Sequence, residues 1–244
     1  MTNVKKILKI GVIGRGIWGQ KIIKVLKKNF KIQFVIGKDT NYKEIKKKID
    51  WVFVLTTNNT HYKICKYFLN SGINVFCEKP LTTSLKEANE LYYLSKKNKV
   101  NLYVDDIEIL KNKKLKIKKN NKILRKKFSS GRNYSLFERL CYHDLYLIYK
   151  YVKNKKIKKI KFFKSSDLLF KINFNNFVFN FEYSIKTKEK IHKINNSNFL
   201  KFKDNPMQKM IVNLIQNKKF SENKKRSLFA LKVVSLLKFK YKKR

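Results

Sequence analysis

Residues 7–19 read Ile-Leu-Lys-Ile-Gly-Val-Ile-Gly-Arg-Gly-Ile-Trp-Gly, an apolar strand that runs directly into Gly14-x-Gly16-x-x-Gly19 and then into a helix. That order suits the pyrophosphate of a dinucleotide. Gly14 permits a tight turn, Gly16 lets the backbone approach the phosphates, and Gly19 lets the helix lie close to the strand with its first free N–H groups facing the ligand. Arg15, Ile17 and Trp18 fill the intervening positions and join the glycines as candidate cofactor contacts. An ordinary strand-to-helix junction also tolerates such glycines. Here the strand in front, and Ile22, Ile23 and Leu26 at helical spacing behind, favour the ligand reading.

The next segments repeat the alternation of strand and helix. Residues 31–36 form a second strand, after which Gly37-Lys38-Asp39 offers two choices. Asp39 suits the adenosine ribose of NAD, whereas Lys38 suits the 2′-phosphate of NADP, and the two stay open. A short helix is expected over 42–49. The almost wholly apolar run 50–55 then delivers the loop Thr56-Thr57-Asn58-Asn59-Thr60-His61 at the carboxyl end of a central parallel strand. His61 should open a helix and line the cofactor loop. A further strand, 73–77, ends at Glu78-Lys79-Pro80, where proline stops the strand and the charges meet the cofactor crevice. Ser84 and Glu87 form a capping box for a helix reaching about residue 98, and residues 100–104 give another strand.

Composition narrows the class. A chain of 244 residues that is 43% hydrophobic can bury one large core or two modest ones. No apolar run approaches the length of a membrane span, and Lys9 and Arg15 interrupt the N-terminal apolar stretch, so a cytoplasmic protein without a membrane partner is expected. Three cysteines, Cys65, Cys77 and Cys141, are widely spaced, which points to reduced thiols and to no metal site. The net charge of +44 attracts polyanions regardless of fold. Yet arginine, the usual reader of phosphates and bases, occurs only at positions 15, 125, 132, 139, 226 and 244. Dispersed lysine of this kind reads as compositional bias on solvated positions, so no specific nucleic-acid partner is expected.

Three pieces together carry a family resemblance: the stretch from Gly11 to Gly19, Val54-Leu-Thr-Thr-Asn-Asn-Thr-His61, and Ser71-Gly-Ile-Asn-Val-Phe-Cys-Glu-Lys-Pro-Leu81. In order and spacing, over about the first 106 residues, the chain resembles the Gfo/Idh/MocA oxidoreductases. Thr57 stands where that family often has proline. The resemblance implies that Gly14, Arg15, Gly16, Ile17, Trp18, Gly19, Lys38, Asp39, Thr56, Thr57, Asn58, His61 and Glu78 serve NAD or NADP. It also implies that Lys79 orients a sugar hydroxyl as hydride leaves for the cofactor. An ammonium there can donate to a developing alkoxide.

The second half implies less by itself. Residues 160–163, 168–174 and 177–183 read as strands, the last two joined through Asn175-Asn176, with helices expected from 204 to 216 and from 224 to 240. His192 sits among lysines and asparagines and reads as solvated. By resemblance this half is an α+β domain with a largely antiparallel sheet that faces the substrate and offers a homo-oligomer interface. In Leu136-Phe-Glu-Arg-Leu-Cys-Tyr-His143-Asp144, His143 matches the family's proton acceptor, but Arg139 replaces the aspartate four residues before it. A remodelled site, a shifted role for Glu138 and an inactive site all remain open at this point. The fold expected is α/β: a Rossmann-type dinucleotide-binding domain over 1–110 and a reduced α+β domain over 111–244. The function expected is NAD(P)-dependent oxidation or reduction of a carbohydrate or nucleotide-sugar hydroxyl. The rivals are a noncatalytic NAD(P)-binding relative and a basic nucleic-acid or membrane-surface binder.

Overall fold

The computed structural model describes residues 7–37, 40–45, 48–111, 115–128, 135–201, 205–216 and 220–243. The chain falls into two compact units, residues 1–105 with 207–228, and residues 106–206 with 229–244. Where the sequence suggested one boundary near residue 110, a segment from the far end of the chain therefore returns to the first unit.

The first unit is built on five parallel strands: β1 (Lys9–Ile13), β2 (Lys31–Ile36), β3 (Trp51–Val54), β4 (Asn74–Cys77) and β5 (Leu102–Val104). Their order is β2-β1-β3-β4-β5, which reverses direction between β1 and β3. In such sheets ligands bind outside the carboxyl ends at the reversal, where the chain departs to opposite faces and leaves a crevice. The central strands are nearly continuous apolar runs, and Val12, Val52, Phe53, Val54, Val75 and Phe76 are almost wholly buried. The helices α1 (Ile17–Leu26), α2 (Asn58–Asn70) and α3 (Leu85–Lys97) connect them. Ser84 caps α3 by accepting from the Glu87 N–H, as the capping pattern predicts.

Two expectations shrink. Of the helix expected over 42–49, the described residues form one tight turn, Tyr42–Glu44, where the Asn41 side chain accepts from Lys43 N, and Ile45 is already extended; residues 46 and 47 lie outside the described residues. The strand expected from residue 100 starts at Leu102, since Val100 N donates to Ser95 O and so still belongs to the end of α3.

Helices α4 (Tyr142–Val152), α5 (Pro206–Ile215) and α6 (Phe220–Lys242) complete the helical set, and α6 contributes to both units. Within the first unit its Asn223, fully buried, donates to Val104 O at 2.7 Å and accepts from Val104 N at 2.9 Å. One amide thus satisfies both backbone groups on the bare side of β5, an edge that would otherwise invite another strand. No helix among the described residues is long and apolar enough to cross a membrane.

The second unit carries a six-stranded sheet in the order β11-β10-β6-β9-β8-β7. Its strands are β6 (Asn120–Lys126), β7 (Ile157–Phe163), β8 (Leu168–Phe174), β9 (Val178–Ser184), β10 (Ile191–Ile194) and β11 (Ser197–Asn198). Only β6 and β9 pair in parallel; every other neighbour is antiparallel. The mixed, largely antiparallel sheet agrees with the expected fold class. Strict alternation along β8 buries Leu168, Phe170, Ile172 and Phe174, and Phe170 stacks on Phe181 with ring centres 4.6 Å apart. Residues 120–126, for which no strand was expected, form β6, a strand in the middle of this sheet, whose Asn121 and Ile123 are buried and alternate with exposed Asn120 and Lys122.

Replacing Asn223 with leucine keeps the volume and strands the Val104 N–H and C=O. We expect a loss of about 2 kcal/mol, read as a fall of roughly 5 °C in the unfolding temperature. An unchanged melting curve would show that water satisfies the β5 edge.

Candidate functional site

In the first unit the glycine motif takes up the geometry its spacing implies. Gly14 turns with φ +104°, and a Cβ there would lie 2.5 Å from Leu55 O, so both conformation and space demand glycine. A Cβ on Gly19 would lie 2.4 Å from Gly14 O, so α1 rests directly on the turn. Gly16 differs: among the described residues nothing lies within 4 Å of where its Cβ would be. It caps α1 in an extended conformation with no side chain bonded to the first turn, and that turn holds no acid. The N–H groups opening α1 and the positive end of its dipole are therefore available to an anion approaching over Gly16. Arg15 is exposed and lays its guanidinium across Gly37 at the end of β2. Ile17 is 83% exposed beside it. Lys38 and Asp39, the two candidates for the ribose end, lie outside the described residues.

The loop after β3 ends at Thr57, which precedes α2 with φ −82°. That value is close to the one a proline ring imposes, so threonine holds the same backbone without the ring. Thr60 bridges back to Thr56 Oγ1 at 2.7 Å and Thr57 O at 2.8 Å, and Asn58 starts the helix itself. His61 was expected to open α2 and line the cofactor loop, yet it lies a turn inside the helix and is fully buried. Its Nδ1 meets Pro80 O at 2.8 Å and its Nε2 meets Thr56 O at 3.1 Å. Burial, with Lys79 adding to it, lowers its pKa below the ordinary histidine value against the pull of the two carbonyls. His61 lies between the loop after β3 and the segment after β4; neutral, it carries one N–H and donates to one of the two carbonyls while its ring packs against the other.

That second segment holds Glu78 and Lys79, both partly exposed. Glu78 N donates to Val54 O, while its Oε2 is buried without a hydrogen-bond partner. Trp18 Nε1 is likewise buried and unbonded. Unpaired polar atoms are costly to bury, so a donor for Glu78 and an acceptor for Trp18 fit the hydroxyls and amides of a dinucleotide. Cys65, Cys77 and Cys141 are buried, and burial raises the thiol pKa of Cys77 and Cys141, which leaves them protonated and inert. Among the described residues no cluster of three or more metal-ligating side chains occurs.

The second unit holds a buried set of charges that the sequence did not announce. Asp144, fully buried, accepts from His192 Nε2 at 2.7 Å, Tyr183 OH at 2.9 Å and Arg125 Nη1 at 3.3 Å. His192, read as solvated, is 2% exposed. It sits on β10, where the strand's alternation buries His192 and Ile194 and exposes Lys193. Arg125 Nη2 also donates to Glu108 Oε1 at 2.9 Å, and Lys111 Nζ to Glu108 Oε2 at 2.8 Å. Burial alone would raise the Glu108 pKa, but Arg125, His192 and Lys111 together pull it down to about 2. His143 is next to Asp144, and its Nδ1 lies 3.9 Å from Glu108 Oε1. Glu138, considered as a stand-in for the missing aspartate, is paired instead with Lys238 from the end of α6. Arg139 lies in the single wide helical turn, residues 137–141, that precedes α4.

A parallel sheet with this reversal, and a glycine turn opening an uncapped helix at its carboxyl end, defines a Rossmann-type dinucleotide-binding domain, here combined with a second unit on a mixed sheet. Residues 27–106 match the family described as "Oxidoreductase family, NAD-binding Rossmann fold", the Gfo/Idh/MocA group. A stretch of 49 residues is 45% identical to the uncharacterized oxidoreductase YfiI of Bacillus subtilis, covering 20% of this chain and only 12% of that relative. The whole fold is similar to UDP-N-acetylglucosamine 3-dehydrogenase GnnA from Acidithiobacillus ferrooxidans, with a TM-score of 0.81 at 14% identity over 95% of this chain and 97% of that one. It is also similar to the WlbA (WbpB) dehydrogenase from Thermus thermophilus, solved with NAD and UDP-GlcNAcA, with a TM-score of 0.73 at 13% identity over 95% and 93%.

The Glu108 carboxylate predicts a distinct acid response. Its folded pKa of about 2 lies below the ~4.3 of an unfolded glutamate, so its contribution is present above the unfolded value and lost as pH falls toward the folded one. The stability difference between wild type and Glu108→Gln should be on the order of 3 kcal/mol at neutral pH and should shrink steadily below about pH 4. Denaturant titrations across that range check it; a difference that stays constant down to about pH 2 would contradict the ion cluster.

Proposed function

We propose that the protein is an NAD(P)-dependent oxidoreductase that oxidises or reduces a hydroxyl of a carbohydrate, with a nucleotide sugar as the favoured class. The observation that carries this is the open backbone at Gly16 between two crowded glycines, at the mouth of a helix with no cap of its own. The orphaned Glu78 Oε2 adds a group that needs a ligand hydroxyl or amide. Similarity in fold to dehydrogenases of UDP-sugars supports the substrate class without reaching individual residues.

In this reading Gly14, Gly16 and Gly19 let the first turn of α1 hold the pyrophosphate. Glu78 accepts from the cofactor's ribose. Arg15, lying across Gly37 at the end of β2, meets the adenosine ribose or its 2′-phosphate. The nicotinamide supplies a hydride acceptor when bound. Lys79 donates a hydrogen bond to the reacting hydroxyl oxygen and so stabilises the alkoxide character that develops as the C–H hydride departs. His143 takes the hydroxyl proton. The products are then a ketone, the reduced cofactor and the proton held on His143. Homo-oligomerisation through the outer face of the second unit's sheet belongs to the same proposal.

One observation favours a noncatalytic reading: Arg139 occupies the position of the aspartate that would serve His143. A noncatalytic relative would bind NAD(P) and turn over nothing. The test is cofactor absorbance at 340 nm with UDP-N-acetylhexosamines, UDP-hexuronates and free inositol. We expect reduction with a UDP-sugar, and a fall in kcat of roughly 10²-fold or more in Lys79→Ala and in His143→Gln, with cofactor affinity unchanged. Full activity in Lys79→Ala would remove its role, and no turnover with any sugar would establish the noncatalytic alternative.

A further inference from the structure

If His143 is the proton acceptor, its imidazole needs a partner on the ring nitrogen that does not face substrate. Without one, the ring is free to present either tautomer, and the imidazolium formed during turnover has nothing to offset its charge. The position from which the resemblance would supply that partner holds Arg139, whose charge opposes an imidazolium. The adjacent Glu138 is committed to Lys238. The acid neighbour along the chain, Asp144, accepts from Arg125, Tyr183 and His192.

A carboxylate from another part of the second unit does reach the ring. Glu108 stands in the short helical turn Ile107–Leu110, and its Oε1 lies 3.9 Å from His143 Nδ1. We propose that Glu108 is the positioning residue for His143: its carboxylate holds the proton on Nδ1 and leaves Nε2 to receive the substrate's hydroxyl proton. The inference rests on the hydroxyl-oxidation reading for its purpose, though not for its geometry.

Three features fit Glu108 to this task. Its side chain is 7% exposed and anchored through both oxygens, Oε1 by Arg125 and Oε2 by Lys111, so it cannot swing away from the ring. The same two cations keep it ionised at any pH at which the protein works, so it can offset an imidazolium without accepting the proton itself. Asp144 locks the backbone next to His143 to Arg125, the residue that also holds Glu108, so acid and imidazole are referred to one guanidinium. Around Glu108, Arg125 and Lys111 meet its two oxygens and Asp144 and His192 join through Arg125, while Arg139 lies four residues before His143 on its own segment. Of these, His192 competes most directly, with its Nδ1 3.6 Å from Glu108 Oε2, but it uses the opposite oxygen. The 3.9 Å separation is an ion-pair contact rather than a hydrogen bond. Contacts of this kind tighten when substrate fixes the far side of the ring.

The chain has only three histidines, which makes a direct test practical. In uniformly 15N-labelled wild type, long-range 1H–15N correlation spectra report which ring nitrogen of each neutral histidine carries the proton, and His143→Gln identifies the signals of His143. We expect the Nδ1–H tautomer for His143. The commoner Nε2–H tautomer there would overturn the proposal. Kinetics supply the second arm, because a purely structural role would not separate kcat from KM. Glu108→Gln should lower kcat by roughly two orders of magnitude with KM little changed, and Glu108→Asp, which keeps the charge, should recover most of the loss. Equal activity in wild type and Glu108→Gln would also overturn it. The spectrum needs no substrate and no variant of Glu108. A wild type that shows the Nδ1–H tautomer but turns over no sugar therefore removes the enzymatic reading while leaving the pairing established.

Discussion

The turn at Gly14 is the constraint on which the first unit depends. The chain there must leave β1 with a positive φ while its N–H donates to Ile36 O on β2 and its carbonyl lies against Gly19. Any side chain at Gly14 would strike Leu55 O, which belongs to the end of β3. The turn therefore sits where β1, β2 and β3 all end, and its shape decides where α1 begins. The open backbone over Gly16 is a consequence. Crowding at Gly14 and Gly19 contrasts with open space at Gly16, where no atom of the described residues lies within 4 Å of a Cβ. Behind this mouth His61 lies between the loop after β3 and the Glu78-Lys79-Pro80 segment, so the parts of the site on neighbouring strand ends are referred to one buried imidazole.

The second unit is organised by a different kind of interaction. Arg125, Glu108, Asp144 and His192 are all nearly or fully buried, and taking such charges out of water is expensive unless each is met by its opposite and by hydrogen bonds. Arg125 bridges the two carboxylates, Tyr183 and His192 complete Asp144, and Lys111 completes Glu108. Removing one member leaves the others uncompensated, which costs about 3–5 kcal/mol in buried pairs generally. An apolar core would hold the sheet more cheaply. What the charges add is direction: they fix the start of α4, and with it His143, relative to strands far away in sequence.

Much of the first unit was legible because its strands are short apolar runs closed by glycine, proline or capping residues, signals that act within a few positions. Thr57 departs from the resembled pattern, yet its backbone shows why the loop survives: φ is already near a proline's value. Illegible features share one cause, a partner distant in sequence. His192 looked solvated because its neighbours are lysine and asparagine; its partner Asp144 is 48 residues away. Strand β6 alternates so many polar residues with Ile123 that only its place between β9 and β10 reveals it. Asn223 lies in a lysine-rich helix and meets Val104 across 119 residues. Of the candidate site, the geometry of the glycine turn could be read from motif spacing. The place of His61 between two loops could not, since nothing local marks the two carbonyls at its ring, and Glu138 was drawn away by Lys238, 100 residues on.

The central claim is that the helix mouth over Gly16 binds a nicotinamide dinucleotide. Isothermal titration of the wild-type protein with NAD, NADH, NADP and NADPH at moderate salt tests it most directly, with Gly16→Leu as the paired variant, because open space at that position lets leucine fold without strain. The account predicts saturable binding of at least one of the four by the wild type, loss of that binding in Gly16→Leu, and equal thermal stability of the two proteins without ligand. Equal affinity in Gly16→Leu, or binding that vanishes for all four nucleotides as salt is raised, would contradict it, since the nucleotides would then be held by the general positive charge of the chain and not by the turn.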